Sequence, residues 1–247
     1  MNIIFYGVVA SLIAGLGTAL GGVPCFFLKR TSDKFLDSAL GFAAGIMLAA
    51  TSFSLLVPAI ESGGVWKASA GLLLGALFLV VTGRNIPHLH RIAALKGINS
   101  DMAKLWLFIF AVTIHNFPEG LAVGVGFGGG DIRGGTALAI GIGLQNIPEG
   151  LAVAFPLVRA GSSRIKAFWV ALFTGLVEPV GGFIGAAFVS IGSFLLPYGL
   201  AFAGGAMLYV ISEEIIPETH SRGNDRAATM GILIGFVVMM ILDNVFG

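Results

Sequence analysis

Two copies of one phrase hold the residues of this chain best suited to chemistry. His115-Asn116-Phe117-Pro118-Glu119-Gly120-Leu121-Ala122-Val123 is answered thirty residues later by Gln145-Asn146-Ile147-Pro148-Glu149-Gly150-Leu151-Ala152-Val153. On a helix His115 and Glu119 stand at i and i+4, so they project from one face about one turn apart. Gln145 and Glu149 repeat that spacing. Pro118 and Pro148 cannot donate to the carbonyls four residues back, which frees the oxygens of Ile114 and Leu144. Each copy therefore offers a carboxylate, an amide and a spare carbonyl, and the first adds an imidazole. Such a mixture of hard and borderline donors suits a divalent transition metal.

The elements that must position these groups are membrane helices. Of 247 residues 56% are hydrophobic and only 11% charged, and the mean hydropathy is +0.95. A soluble domain would carry roughly a quarter charged residues. The chain divides into eight apolar stretches near 3–27, 38–60, 66–84, 105–128, 135–158, 166–190, 197–218 and 227–246. Each has about the twenty residues that a helix needs to cross the hydrocarbon. One transmembrane domain, 1–247, is the expectation, with the N-terminal stretch kept as the first span because it lacks a cleavable signal pattern. Twelve of the fourteen Lys and Arg residues fall in loops 1–2, 3–4, 5–6 and 7–8; only Lys67 and Arg133 fall on the other side. That bias places both termini outside the cytoplasm. A net charge of +1 and the lack of a basic tail give nothing for nucleic acid to hold. The single cysteine, Cys25, excludes an intramolecular disulfide framework and a CxxC metal site.

A second repeat surrounds the first. A shift of 160 residues lays Gly15-Leu16 and Gly21-Gly22 on Gly175-Leu176 and Gly181-Gly182. The same shift lays Phe42-Ala43, Gly45 and Met47-Leu48 on Phe202-Ala203, Gly205 and Met207-Leu208, and Gly71, Leu73 and Gly75 on Gly231, Leu233 and Gly235. Spans five apart enter from opposite sides, so spans 1–3 and 6–8 form an inverted repeat around spans 4 and 5. Transporters built this way bind their substrate near the midplane, where the repeats meet. The motifs lie near the middle of spans 4 and 5, and Glu178-Pro179 is central in span 6. Three unpaired carboxylates at that depth would cost roughly 8–10 kcal/mol on translocon scales. No Lys or Arg shares their depth, so a bound cation, protons or water must offset the charge.

HNFPEG, QNIPEG, the Glu-Pro of span 6 and the eight-span layout together resemble the ZIP (Zrt/Irt-like) family of metal transporters, its prokaryotic branch in particular. The likeness covers essentially the whole chain. It implies an all-α integral membrane fold with a 3+2+3 arrangement, multi-pass in the cell (inner) membrane. It also implies transport of Zn²⁺ into the cytoplasm, with Fe²⁺, Mn²⁺, Co²⁺ and Cd²⁺ as further candidate substrates, through a midplane site that can be binuclear. By motif, His115, Glu119, Gln145 and Glu149 match the first metal site. Asn116, Asn146 and Glu178 match the second, with Glu119 and Glu149 bridging. Some members have Asp where this chain has Asn146, and the neutral amide weakens the second site. The resemblance also directs the Met47 thioether toward the first site, a core methionine being the alternative.

Other charged groups have bland and functional readings side by side. Glu213, Glu214, Glu218 and His220 cluster at the cytoplasmic end of span 7, where Glu214 could head a metal exit site or simply be solvated. Glu61 and Asp243, at the outer ends of spans 2 and 8, could draw cations in or be ordinary surface carboxylates. His88 and His90 are expected in a solvated loop. An intramembrane metalloprotease is a poor fit, since HxxxE with an internal proline is not HExxH. A proton-coupled carrier of organic solutes would need a more apolar pocket than Gly, Asn, Gln and Glu provide. The expected partners are divalent metal ions and the lipid bilayer, with a homodimer as a candidate assembly. Spans 4 and 5 are expected to move as the metal-carrying unit.

Overall fold

The computed structural model describes residues 3–28, 31–83 and 100–246. His88, His90 and most of the basic residues expected in loop 3–4 lie outside the described residues. The rest is all-helical. Eight helical units are long and apolar enough to cross a membrane: Ile3–Phe26, Asp33–Gly63, Val65–Gly83, Leu105–Gly128, Ile132–Arg159, Arg164–Ser190, Ser193–His220 and Asp225–Phe246. They are called spans 1 to 8. Spans 4 and 5 are the most enclosed, and spans 3 and 8 lie mostly exposed on the outside of the bundle.

Local chemistry sets several ends. Span 2 starts at Asp33 rather than near 38, because the Ser32 hydroxyl accepts from the Phe35 amide and caps the helix early. Asp131 and Ser163 cap spans 5 and 6 in the same way, accepting from Gly134 and Lys166. Gly64, at φ +80°, makes the tight turn from span 2 to span 3, a conformation that a Cβ would strain.

The motif prolines do not break their helices: Pro118 lies inside the helix Ser100–Gly128, and Pro148 inside Ile132–Arg159. The interruptions fall elsewhere. Span 2 widens into a π-helical segment over Ala50–Leu56 and span 7 over Ile211–Ile215. Each is followed by a proline near the start of the next helix, Pro58 and Pro217. A proline ring cannot donate and crowds the turn before it, so the backbone opens by one residue there. Span 6 turns at Leu176–Val177 and restarts at Glu178 with Pro179 behind it.

Packing divides the spans into two groups. Spans 1, 4, 5 and 6 pack on one another, as do spans 2, 3, 7 and 8. Between membrane helices there is little hydrophobic driving force, and close backbone approach at small residues takes its place. In the second group Gly45 abuts the carbonyl of Ile232, and Gly205 abuts that of Leu72. Gly75 and Gly235 meet Phe202 and Phe42 in the same fashion. Both pairs of contacts are related by the 160-residue offset read in the sequence. In the first group Gly15 and Gly175 face each other's carbonyls, Gly120 abuts Glu178, and Gly150 abuts Thr18. Glycines at the seam between the groups meet side chains instead: Gly141 meets Met239, and Gly199 meets Val125. Spans 4 and 5 thus pack most closely with spans 1 and 6.

Candidate metal centre

Span 4 contributes His115, Asn116 and Glu119, and span 5 contributes Gln145, Asn146 and Glu149. Glu178 comes from the restart of span 6. All seven are buried, none more than 4% exposed. The i and i+4 spacing turns each motif face inward, and the turn at Leu176–Val177 brings the Glu178 carboxylate to the same region.

Two hydrogen bonds tie the three spans together. Gln145 Nε2 donates to Glu119 Oε1 at 2.6 Å. Asn146 Nδ2 donates to Glu178 Oε1 at 2.6 Å and to the Ala14 carbonyl of span 1 at 2.8 Å. His115 Nε2 lies 3.9 Å from Glu149 Oε2, and its Nδ1 lies 3.3 Å from Glu214 Oε2 on span 7. Glu119 is within electrostatic reach of both Glu149 and Glu178. Three acidic groups thus share a low-dielectric pocket with one imidazole and three amides.

The bonds leave much unsatisfied. Among the described residues twelve buried side-chain nitrogen and oxygen atoms lack a hydrogen-bond partner, and nine of them belong to these seven residues. They include both carboxylate oxygens of Glu149, both polar atoms of Asn116, His115 Nε2, and one oxygen each of Glu119 and Glu178. Buried polar atoms are paired in the great majority of cases, and each exception asks for an explanation. Among the described residues no three His, Cys, Asp or Glu side chains converge as a ready ligand set. A metal held here would draw on Gln and Asn oxygens as well.

One cavity reaches the site and a second lies toward the other ends of the spans. The first, of about 350 Å³, is lined by His115, Glu149, Glu213, Glu214 and Glu218. The other, of about 440 Å³, is lined by Glu61, Asp131 and Asp243 near the opposite ends of the spans. Ser54, in the first π-helical segment, donates to Asp243 Oδ1 at 2.6 Å. His220 is held locally, its Nδ1 near Thr219 Oγ1 and the Ile216 carbonyl, and does not line the first cavity. Met47 is fully buried and belongs to the apolar core with Ile142 and Met207. Cys25 is also buried.

Three features escaped the sequence reading. Thr18 stands at the 160-offset position of Glu178, is fully buried, and its hydroxyl has no partner. The offset itself could have found it. Asp131 joins Glu61 and Asp243 around the second cavity. Asp37 is fully buried and bonded by Arg222 and Asn224, nearly the length of the chain away. Composition and spacing carry no signal for that last pairing.

A family model described as ZIP Zinc transporter matches residues 87–243, a stretch that contains both motif copies and Glu178. The chain is 46% identical to Zinc transporter GufA of Myxococcus xanthus over 98% of its own length and 99% of that protein. It is 38% identical to Zinc transporter ZIPB of Bordetella bronchiseptica, covering 98% and 82% of the two chains. To Zinc transporter ZupT of Corynebacterium aurimucosum it is 32% identical over 93% of each. With eight apolar helices and the paired motifs at their centre, likeness of this extent means that the chain belongs to the ZIP family.

Proposed function

We propose that this multi-pass membrane protein transports zinc into the cytoplasm, through a midplane site built from His115, Glu119, Gln145 and Glu149. The family is one of transporters rather than enzymes, and the relatives named above are zinc transporters. The observation that carries the site assignment is the concentration of unpartnered buried donors in the motif residues. Hydrogen bonding within the protein leaves those atoms bare, and a divalent cation satisfies several of them at once while neutralising the carboxylates.

Asn116, Asn146 and Glu178 form a second, weaker position beside the first, bridged by Glu119 and Glu149. Fe²⁺, Mn²⁺, Co²⁺ and Cd²⁺ use the same donors. The fold is arranged 3+2+3, with both termini outside and the basic loops in the cytoplasm. The cavity lined by Glu213, Glu214 and Glu218 then opens inward, and the one at Glu61, Asp131 and Asp243 opens outward. Spans 1, 4, 5 and 6 move as one body against spans 2, 3, 7 and 8. Backbone contacts at glycines support rigidity within each group, and the side-chain contacts of Gly141 and Gly199 support sliding at the seam. The test is Zn²⁺ uptake into vesicles. Glu119→Ala and Glu149→Ala insert normally and lose uptake; transport by correctly inserted Glu119→Ala at the wild-type rate would end this reading.

A further inference from the structure

We infer that Glu214 is a positioning residue for His115, fixing the tautomer that presents Nε2 to the metal; this rests on His115 being a ligand. A neutral imidazole carries one N–H and one lone pair, and the partner of one nitrogen decides which the other shows. Glu214 Oε2 lies 3.3 Å from Nδ1. A carboxylate oxygen accepts, so the hydrogen sits on Nδ1 and the lone pair on Nε2. That nitrogen is buried, has no hydrogen-bond partner, and faces Glu149 Oε2 at 3.9 Å. Zinc bonds imidazole nitrogen and carboxylate oxygen at about 2.0–2.2 Å, so an ion fits between the two atoms. The other tautomer would put a hydrogen into that space and remove the ligand.

The local fold explains how a residue three spans away reaches the ring. Glu214 belongs to the π-helical segment Ile211–Ile215, whose wider turn displaces its side chain from a regular helical path. Glu213 stays exposed, whereas Glu214 is 31% exposed and its carboxylate meets His115, itself 4% exposed. His115 and Glu214 belong to different helix groups, so the constraint holds while the groups stand as they do here, with the cavity at Glu213 and Glu218 leading to the site. Carboxylate partners of this kind orient metal-binding imidazoles, and their loss typically lowers metal affinity by about 10–100-fold.

The inference differs from a role for Glu214 as a ligand or a simple attractor of cations, because it needs an acceptor and not a charge. Zn²⁺ affinity would be measured at equilibrium on purified full-length protein for Glu214→Ala, Glu214→Gln, His115→Gln and the double variant Glu214→Ala/His115→Gln. Thermal melts would confirm that each variant is folded. The expectation is a loss of about 10–100-fold for Glu214→Ala, affinity near wild type for Glu214→Gln, and no further loss when Glu214→Ala is added to His115→Gln. Nitrogen NMR of the metal-free wild type should find the His115 hydrogen on Nδ1. Equal losses for Ala and Gln would assign the effect to charge and overturn the inference. A Glu214→Ala loss that persists undiminished without His115 would overturn it as well. If instead His115→Gln alone leaves Zn²⁺ affinity intact, the ligand assignment fails and the inference falls with it.

Discussion

Gly120→Ala is a one-carbon change that should disable the site without altering any proposed ligand side chain. Gly120 follows Glu119 on span 4, and its face is packed on the backbone of Glu178. A Cβ built there falls on the Glu178 carbonyl and lies 2.6 Å from both the Cα and the carbonyl carbon. Carbon atoms settle at about 3.5–4.0 Å, so spans 4 and 6 would have to part by about 1 Å. Every clashing atom is backbone, and no rotamer can relieve it. Overpacking costs about 1–3 kcal/mol, and this contact belongs at the upper end. Alanine recovers about 1 kcal/mol through helix propensity, leaving a net loss of about 2 kcal/mol. The displacement also moves the Glu178 carboxylate away from Asn146. Gly141→Ala supplies the control: its Cβ meets the flexible side chain of Met239 at the seam, which can swing aside. Melting of the purified proteins and Zn²⁺ uptake into vesicles would be compared. Gly120→Ala should melt lower and transport poorly, and Gly141→Ala should melt much like wild type. If Gly120→Ala melts and transports as wild type, the close packing of spans 4 and 6 does not position the site.

Asn146→Asp removes the donor that now bonds Glu178 and the Ala14 carbonyl, and it sets two carboxylates side by side. The metal-free protein should lose about 1–3 kcal/mol, and Zn²⁺ should raise its melting temperature more than it does for wild type; an unchanged Zn²⁺-induced shift would remove Asn146 from the site. Protons and metal compete for the same atoms, because binding requires ionised carboxylates and a neutral His115. Apparent Zn²⁺ affinity should therefore fall as pH drops from about 7 to about 5, across the ordinary imidazole and carboxylate ranges; isotherms flat over that window would mean that these groups are not the ligands. Arg222→Ala leaves buried Asp37 with only the Asn224 amide. Breaking a buried pair costs about 3–5 kcal/mol, but Arg222 is 31% exposed, so about 2 kcal/mol is expected from denaturation.

Much of the site was legible in the sequence because its signals are periodic. The i and i+4 spacing of His115 and Glu119 and its copy in Gln145 and Glu149 predict inward faces, and both are buried. The 160-residue offset marks glycine contacts that the fold uses twice, at Gly45 and Gly205 and again at Gly75 and Gly235. What was not legible depends on backbone irregularity or on distance in the chain. Pro118 and Pro148 stay inside continuous helices, and the widened segments instead precede Pro58 and Pro217, which spacing in the motifs does not signal. Glu214 consequently meets a ring 99 residues away. The Asp37–Arg222 pair spans 185 residues and follows from which helices pack together. The grouping of spans 1 and 6 with 4 and 5 rests on backbone approach at Gly15, Gly120 and Gly150, which composition alone does not assign to partners.

The most direct test is a crystal structure of the Zn²⁺-loaded protein with anomalous scattering measured on both sides of the zinc edge. A zinc peak should lie among His115 Nε2, Glu119, Gln145 and Glu149, about 2.0–2.2 Å from its nitrogen and oxygen ligands. Zinc found only in the cavity at Glu61, Asp131 and Asp243, with none among the motif residues, would contradict it.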